Sequence, residues 1–422
     1  MMRLTREKPV VPACVDTPPF LHLADLLNFF ADRELPHPAL AWLPPRGARV
    51  VALVATLVGL LGIASCRNDS DPLVIGIAGP FGQVRGHSML IAARLAVKEI
   101  NDAGGINGRR LQLDSLDDSA STRRAIAVAE QLRDDPRVVA VIGHLTSATT
   151  IAAAGIYKSG NHPVVAISPS ASAPDLSGIS TYMFRVCATD LVHGAYLARF
   201  AIQQLGARTA SVIYLNDDYG RGILGTFSDE FARLGGRVQS SDPMLPNTGD
   251  IDPYLERIQR EANSQVIMVA GDRAAATTVL RKARARGLNL PIIGGDALTG
   301  IQDEGALAEG VHLTSNYLPE LPGDANARFL EAYRAVSGGE LPDHRGAGAY
   351  DAVHLIADAI RDAGPRRAAI RDALSRLGRG RPAYDGVTGR ITFDDNGDVP
   401  NKTVYVGVVR GGRLTLAAGQ GR

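Results

Sequence analysis

Between Leu73 and Gly295 the chain keeps returning to one unit: a short, almost unbroken apolar run, then a stretch with helical spacing. The runs are LVIGIAG (Leu73–Gly79), VVAVIGH (Val138–His144), PVVAI (Pro163–Ile167), ASVIYL (Ala210–Leu215), QVIMVAG (Gln265–Gly271) and PIIGG (Pro291–Gly295). A strand that is apolar at every position leaves no face for water, so something covers it on both sides. Helical crossovers supply that cover, because parallel strands cannot be joined by a tight turn. After the first run, Met89, Ala93, Val97 and Ile100 fall at helical spacing, which predicts a helix over residues 88–103 that stops at Gly104-Gly105. The expectation is an α/β fold with parallel sheets flanked by helices. The units are too many for one sheet, so two Rossmann-like lobes are expected. No fixed-period repeat is visible, which argues against a solenoid. The end of the chain changes character: GRITFDDNGD and TVYVGVVRGGRL read as antiparallel strands, with turns at Asn396-Gly397 and Gly411-Gly412.

Composition narrows the function classes. The 422 residues carry 45 Lys and Arg against 44 Asp and Glu, a formal net charge of +1, so nothing draws the chain to nucleic acid or anionic lipid in general. Aromatic residues make up 5%, too few for a single-strand stacking surface. The spacing of Cys14, Cys66 and Cys187 fits neither a metal-ligand pair nor a disulfide framework, and Cys187, in MFRVCATD, reads as a buried thiol. The nine histidines form no metal motif, and there is neither a nucleophile elbow nor a Walker loop. No catalytic constellation, cofactor or metal is therefore expected, and the chain does not read as an enzyme.

Arg46 and Arg49 precede an apolar run from Val50 to Ile63, closed by Ile63-Ala64-Ser65-Cys66. A positive segment, an apolar core and small residues before a cut make a secretory signal. The run falls short of the roughly 20 apolar residues that span a bilayer. Ile-Ala-Ser-Cys resembles the bacterial lipobox, which implies a lipid on the Cys66 thiol and a membrane-anchored chain starting there. The expected division is a leader at 1–65, of which 43–65 is the signal, and a polar tether at 66–72. The signal lies unusually deep, and no Met stands between Met2 and Met89. The expectation is a true start near residues 43–51, with residues 1–42 not translated; N-terminal peptides from residues 5–40 in cells would refute it.

Several strand ends carry candidate chemistry. In GHLTSATT, Thr146 and Ser147 stand where a helix starting near Ala148 needs its cap, so free N–H groups and the Ser147 hydroxyl suit a ligand carboxylate. In ISPSASAPDL, Ser170, Ala171 and Ser172 cannot continue a helix before Pro174, which leaves hydroxyls and carbonyls available. Asp296 falls just past a strand in IIGGDAL, where open α/β sheets bind ligands; it suits an ammonium or, equally, a helix cap. YGRGILG has the G-x-G-x-x-G spacing of Gly220, Gly222 and Gly225, but Asn216 to Tyr219 separate it from its strand, so a glycine-rich helix start is preferred to a dinucleotide site. FDDNGD reads as a hairpin turn rather than a calcium loop.

In order along the chain, GPFGQ, AVKEINDAGGINGRRL, VIGHLTSATT, ISPSASAPDL, FRVCATD, NDDYGRG, LRKARARGL, GGDAL, AYDAVHLIADAI and GVTGRITFDDNGD resemble the branched-chain amino-acid type of extracytoplasmic substrate-binding protein that serves ABC importers. The resemblance implies two lobes joined by three hinge crossings, with a ligand cleft between them: 73–188 and 319–400 in the first lobe, 189–318 in the second, and 401–422 as a hairpin completing the second. It implies that Ser147 and Ser172 hold an α-carboxylate, that Ala171, Ser172 and Asp296 hold an α-amino group, and that Tyr219 reaches in on closure. The partners implied are a small polar metabolite such as an amino acid, and an ABC permease. The sequence departs from the leucine-binding pattern where aromatic walls are expected: Val84 or Arg85 replaces one, and Asp272 stands at the other. With Arg85, His87 and Asp272 as linings, the side-chain end is expected to be polar and leucine not the best ligand. The alternatives are a sensor that reports to a separate signalling chain and, on GRGILG alone, a dinucleotide-dependent oxidoreductase.

Overall fold

The structure, a computed structural model, describes residues 71–245, 250–261 and 263–418. The leader, Cys14, Cys66 and the tether as far as residue 70 lie outside the described residues.

The chain first builds β1 (Leu73–Gly79), α1 (Val84–Asp102), β2 (Leu111–Asp117), α2 (Thr122–Asp134), β3 (Val138–Ile142), α3 (Ser147–Lys158), β4 (Ala166–Ser168) and β5 (Met183–Arg185). These strands form one parallel sheet in the order β2-β1-β3-β4-β5. Next come α4 (Asp190–Gln203), β6 (Thr209–Leu215), α5 (Asp218–Arg233), β7 (Arg237–Met244), α6 (Asp252–Glu261), β8 (Val266–Ala270), α7 (Arg273–Ala285), β9 (Ile292–Gly294) and β10 (His312–Ser315). The chain then returns to the first lobe with α8 (Asp324–Ser337), α9 (His344–Ala363), α10 (Arg367–Ser375) and a small hairpin of β11 (Tyr384–Gly386) and β12 (Gly389–Ile391). It ends in β13 (Tyr405–Arg410) and β14 (Arg413–Leu416), which join the second sheet in the order β14-β13-β10-β9-β8-β6-β7. The pairings there are parallel except the two on either side of β13, with β10 and with β14.

Each sheet has a core on both faces, as unbroken apolar strands require. In the first lobe, Ile75, Ile77 and Ile142 pack under α1, α9 and α10, while Val74, Val141 and Ala166 face α2 and α3. In the second, Ile213, Ile267 and Val269 face α6 and α7, and Val212, Val266 and Met268 face α4 and α5. The chain passes between lobes after β5, after β10 and before β13. Asn316 ties all three passages: its Oδ1 accepts from the Ala188 N–H at 3.1 Å, and its Nδ2 donates to the Thr403 carbonyl at 3.2 Å.

Some elements differ from the sequence reading. The first helix starts at Val84, one turn earlier than residue 88, and β4 is confined to Ala166–Ser168. Strands β2 (LQLDSLD) and β7 (RVQSSDPM) carried no apolar signal because both are sheet edges with polar exposure, and an edge also tolerates Pro243. Gly411-Gly412 does turn a hairpin, but Asn396-Gly397 does not. There the Asp394 carboxylate gathers the N–H groups of Asn396 and Asp398, and the first-lobe hairpin turns instead at Val387-Thr388.

Candidate functional site

Both sheets repeat one strand order. Within the second, β7-β6-β8-β9-β10 follows the same pattern as β2-β1-β3-β4-β5 in the first. Where the order reverses, neighbouring strands send their following loops apart and leave a crevice at their carboxyl ends. The reversal lies between β1 and β3 in one lobe and between β6 and β8 in the other. Arg85 follows β1, Ser147 follows β3, Tyr219 follows β6 and Asp272 follows β8. Ser172 and Asp296 follow the equivalent strands β4 and β9. All six line one cleft of about 1380 Å³. His87 and Ser170 line it too. Ala171 does not: it is buried, and its carbonyl accepts from Arg185 Nη1 at 3.3 Å and from the Cys187 thiol at 3.4 Å.

The Ser147 side of the cleft is stiffly held. Ser147 opens α3, with Thr146 as its cap accepting from the Thr149 N–H. Ser147 Oγ accepts from the Ala173 N–H at 3.1 Å, and Ser168 Oγ donates to the His144 carbonyl at 2.7 Å while accepting from the Ala171 N–H at 3.0 Å. These bonds lock the loops after β3 and β4 together. Beneath them His144 is fully buried, with Nδ1 at 2.6 Å from Asp118 Oδ2 and Nε2 at 3.0 Å from the Tyr157 hydroxyl. The first N–H groups of α3, at the positive end of its dipole, form an anion-favouring edge.

The Asp296 side collects negative charge. Asp296 is 2% exposed and caps no helix; Oδ1 accepts from the Tyr219 hydroxyl at 3.3 Å, and Oδ2 lies 3.5 Å from His344 Nε2. Gly295 permits this approach, since a Cβ there would meet the Tyr219 hydroxyl at 2.0 Å. Asp190 is fully buried beside it. Burial, then the neighbouring Asp296, hold the Asp190 carboxyl well above the usual carboxylate range, although the Ser172 hydroxyl and the Arg185 guanidinium favour its ionised form. The Ser172 hydroxyl is buried beside the Asp190 carboxyl. Burial lowers His344 to about 4, so its imidazole is neutral around pH 7.

On the Arg85 side, three aspartates line the cleft, and each caps a helix. Asp217 accepts from the Gly220 N–H, Asp272 from the Ala275 N–H, and Asp343 from the Arg345 and Gly346 N–H groups. Arg85 Nη1 lies 3.6 Å from Asp272 Oδ2, reaching from the first lobe to the second. Arg345, 6% exposed, donates Nη1 to Asp343 Oδ2 at 2.9 Å.

Asp190, His344, Arg345 and Asp217 escaped the sequence reading. Asp217 and Asp190 stand at helix starts, and a search for carboxylates there would have found them. His344 and Arg345 open α9 after a short connection from the helix α8 rather than after a strand, so the strand-end rule does not reach them. The glycine motif resolves as packing within α5: Gly220 presses on the Leu215 and Ala270 carbonyls, and Gly222 on Pro174. Among the described residues no group of His, Cys, Asp and Glu could hold a metal ion, and no helix is long and apolar enough to cross a membrane.

A two-lobed receptor that closes on a small solute is the class this fold and cleft define. Comparison with known proteins agrees: the periplasmic binding protein family model matches residues 72–413, and the chain belongs to that family. Its members are extracytoplasmic binding proteins rather than enzymes. An amino acid binding protein of Pseudomonas aeruginosa is 30% identical over 304 residues, 69% of this chain and 79% of its own length. The leucine-, isoleucine-, valine-, threonine-, and alanine-binding protein of the same species is 26% identical, covering 85% of this chain and 96% of its own. The branched-chain amino acid transporter substrate binding protein LivJ of Streptococcus pneumoniae, solved with isoleucine, superposes with a TM-score of 0.74 at 27% identity, over 82% of this chain and 99% of its own.

Proposed function

We propose that this chain captures a small α-amino acid, or a metabolite of the same polar pattern, and delivers it to an ABC permease. The observation that carries the reading is the opposition across one cleft of two kinds of group. The α3 N-terminus with Ser147 suits a carboxylate; the buried Asp296, which caps no helix, suits an ammonium. Stripping water from a zwitterion is costly unless each charge regains partners. A cleft of about 1380 Å³ exceeds the roughly 300–1,000 Å³ of pockets that enclose small ligands, so closure brings both lobes onto one solute. A ligand that touches both lobes selects the closed form, which is the form a permease reads. Lipid on Cys66 would hold the receptor at the membrane. Cys66→Ser would then release it from the membrane fraction.

The test is thermal unfolding of residues 67–422 against a panel of amino acids, amides and small organic acids, with Asp296→Ala beside the parent. A ligand at about 1,000 times its Kd stabilises the fold by roughly 4.1 kcal/mol. A shift with an α-amino acid that disappears in Asp296→Ala supports the reading. A shift only with amine-free acids or sugars removes the role of Asp296. Silence, with a shift from a nicotinamide dinucleotide instead, overturns the receptor.

A further inference from the structure

Eight acidic side chains and five arginines line the cleft, but several of the acids are already engaged. The carboxylates of Asp217, Asp272 and Asp343 cap α5, α7 and α9, so each answers a helix N-terminus worth roughly half a positive charge. At the rim, Arg273 is matched by Asp303 at 2.8 Å and Glu304 at 3.7 Å, while Arg334 and Arg413 are exposed to water. Two guanidiniums remain under-bonded. Arg85 is half-buried; its Nε donates to Gln83 Oε1 at 2.8 Å, but its contact with Asp272 at 3.6 Å is too long for a hydrogen bond. Arg345 is almost fully buried, and among the described residues its one side-chain hydrogen bond is to Asp343, already a cap. Both line the cleft from the first lobe. Burial lowers the Arg85 pKa; Asp272 opposes that shift, Arg345 adds to it by like-charge repulsion, and Asp118 and Asp217 oppose it further.

A neutral side chain would leave that repulsion in place, and an apolar one would also deepen the desolvation. A carboxylate accepts from both guanidiniums, relieves their repulsion and replaces a long ion pair with short charged hydrogen bonds. We propose that Arg85 and Arg345 read a second anionic group on the ligand, making the solute an α-amino acid with an acidic side chain. This rests on the amino-acid reading above, with the α-carboxylate at Ser147 and the α-ammonium at Asp296.

The experiment is titration calorimetry of the purified full chain with L-glutamate, L-aspartate, L-glutamine and L-leucine, repeated with Arg85→Gln and Arg85→Lys. One acidic amino acid is expected to bind at least about tenfold more tightly than glutamine or leucine. Charged hydrogen bonds are worth roughly 1.5–3 kcal/mol, so Arg85→Gln should weaken that acid about ten- to hundredfold and glutamine about threefold or less. Retained glutamine binding reports an intact fold, and Arg85→Lys should recover part of the loss. Added salt should weaken acid binding more than glutamine binding. Leucine or glutamine binding more tightly than both acids overturns the proposal and leaves the amino-acid reading standing. So does an acid preference that Arg85→Gln does not change. Binding of amine-free solutes with no amino acid bound overturns both.

Discussion

Negative and positive charge are housed differently at the two ends of the cleft. Around Asp296 the acids are buried, cap no helix and depend on hydroxyls and a neutral imidazole. Around Arg85 each acid caps a helix, and the Arg85–Asp272 pair is half open to water. The first end has two desolvated carboxyl groups close together, and Asp190 avoids part of that cost by holding its proton. The second is compensated in pieces, so what it offers a ligand is a residual preference. One end should therefore respond to mutation and pH with large effects, and the other with graded ones.

The largest effect expected is in pH dependence at the buried end. His344 has a folded pKa of about 4 against an ordinary 6.5, so the unfolded chain takes up its proton first as pH falls. Its contribution is complete above pH 6.5 and is lost on the way down to about 4, a loss of roughly 3 kcal/mol. Urea unfolding from pH 7 to 4 should show that slope, and His344→Gln should remove this share of it. What remains combines the other histidines whose pKa burial lowers, His193, His312 and His354, with the opposite slope of Asp190, Asp217 and Asp351, whose pKa burial raises. An unchanged slope would mean that His344 is not held neutral and that the two ends differ less than their geometry indicates.

Asp190→Asn comes next. The folded carboxyl titrates above its unfolded value, so its stabilisation is present below about pH 3.8 and lost as pH rises. At pH 7 the amide should stabilise the ligand-free chain by about 1–3 kcal/mol, the desolvation cost of a buried group, while weakening ligand binding. Thermal unfolding without ligand and calorimetry with it measure the two halves. Destabilisation would mean that the Ser172 hydroxyl and the Arg185 guanidinium already compensate Asp190.

Asp272→Asn is the smallest. Asparagine caps a helix as well as aspartate, so α7 should hold, and losing a half-exposed ion pair should cost under about 1 kcal/mol. Affinity for an acidic amino acid should rise severalfold as the opposing carboxylate disappears. A fall of more than tenfold would make Asp272 a ligand partner and turn the comparison around.

Much of this fold was legible because the central strands are buried on both faces and therefore apolar throughout: LVIGIAG, VVAVIGH and QVIMVAG need no context to be read. The edge strands β2 and β7 were not legible, because a polar edge resembles a loop until its neighbour is known. Strand-end placement led to Ser147, Ser172 and Asp296, and the family resemblance added Tyr219 and Asp272; all five reach the cleft, whereas Ala171, also at a strand end, turns its carbonyl inward to Arg185. Local sequence says which residues leave a strand, but not which way each one faces.

By itself the sequence determined the α/β class and the strand ends as places for chemistry. Those features follow from burial and local geometry, which act over a few residues. Tertiary structure alone decided that the two lobes share one strand order, that Asn316 ties three passages separated by up to 215 positions (Ala188 to Thr403), and that Arg345 of α9 lies with Arg85 of α1 in one cleft. It also decided which aspartates cap a helix and which do not. Charge compensation depends on what stands opposite a group in space, and chain order does not record that.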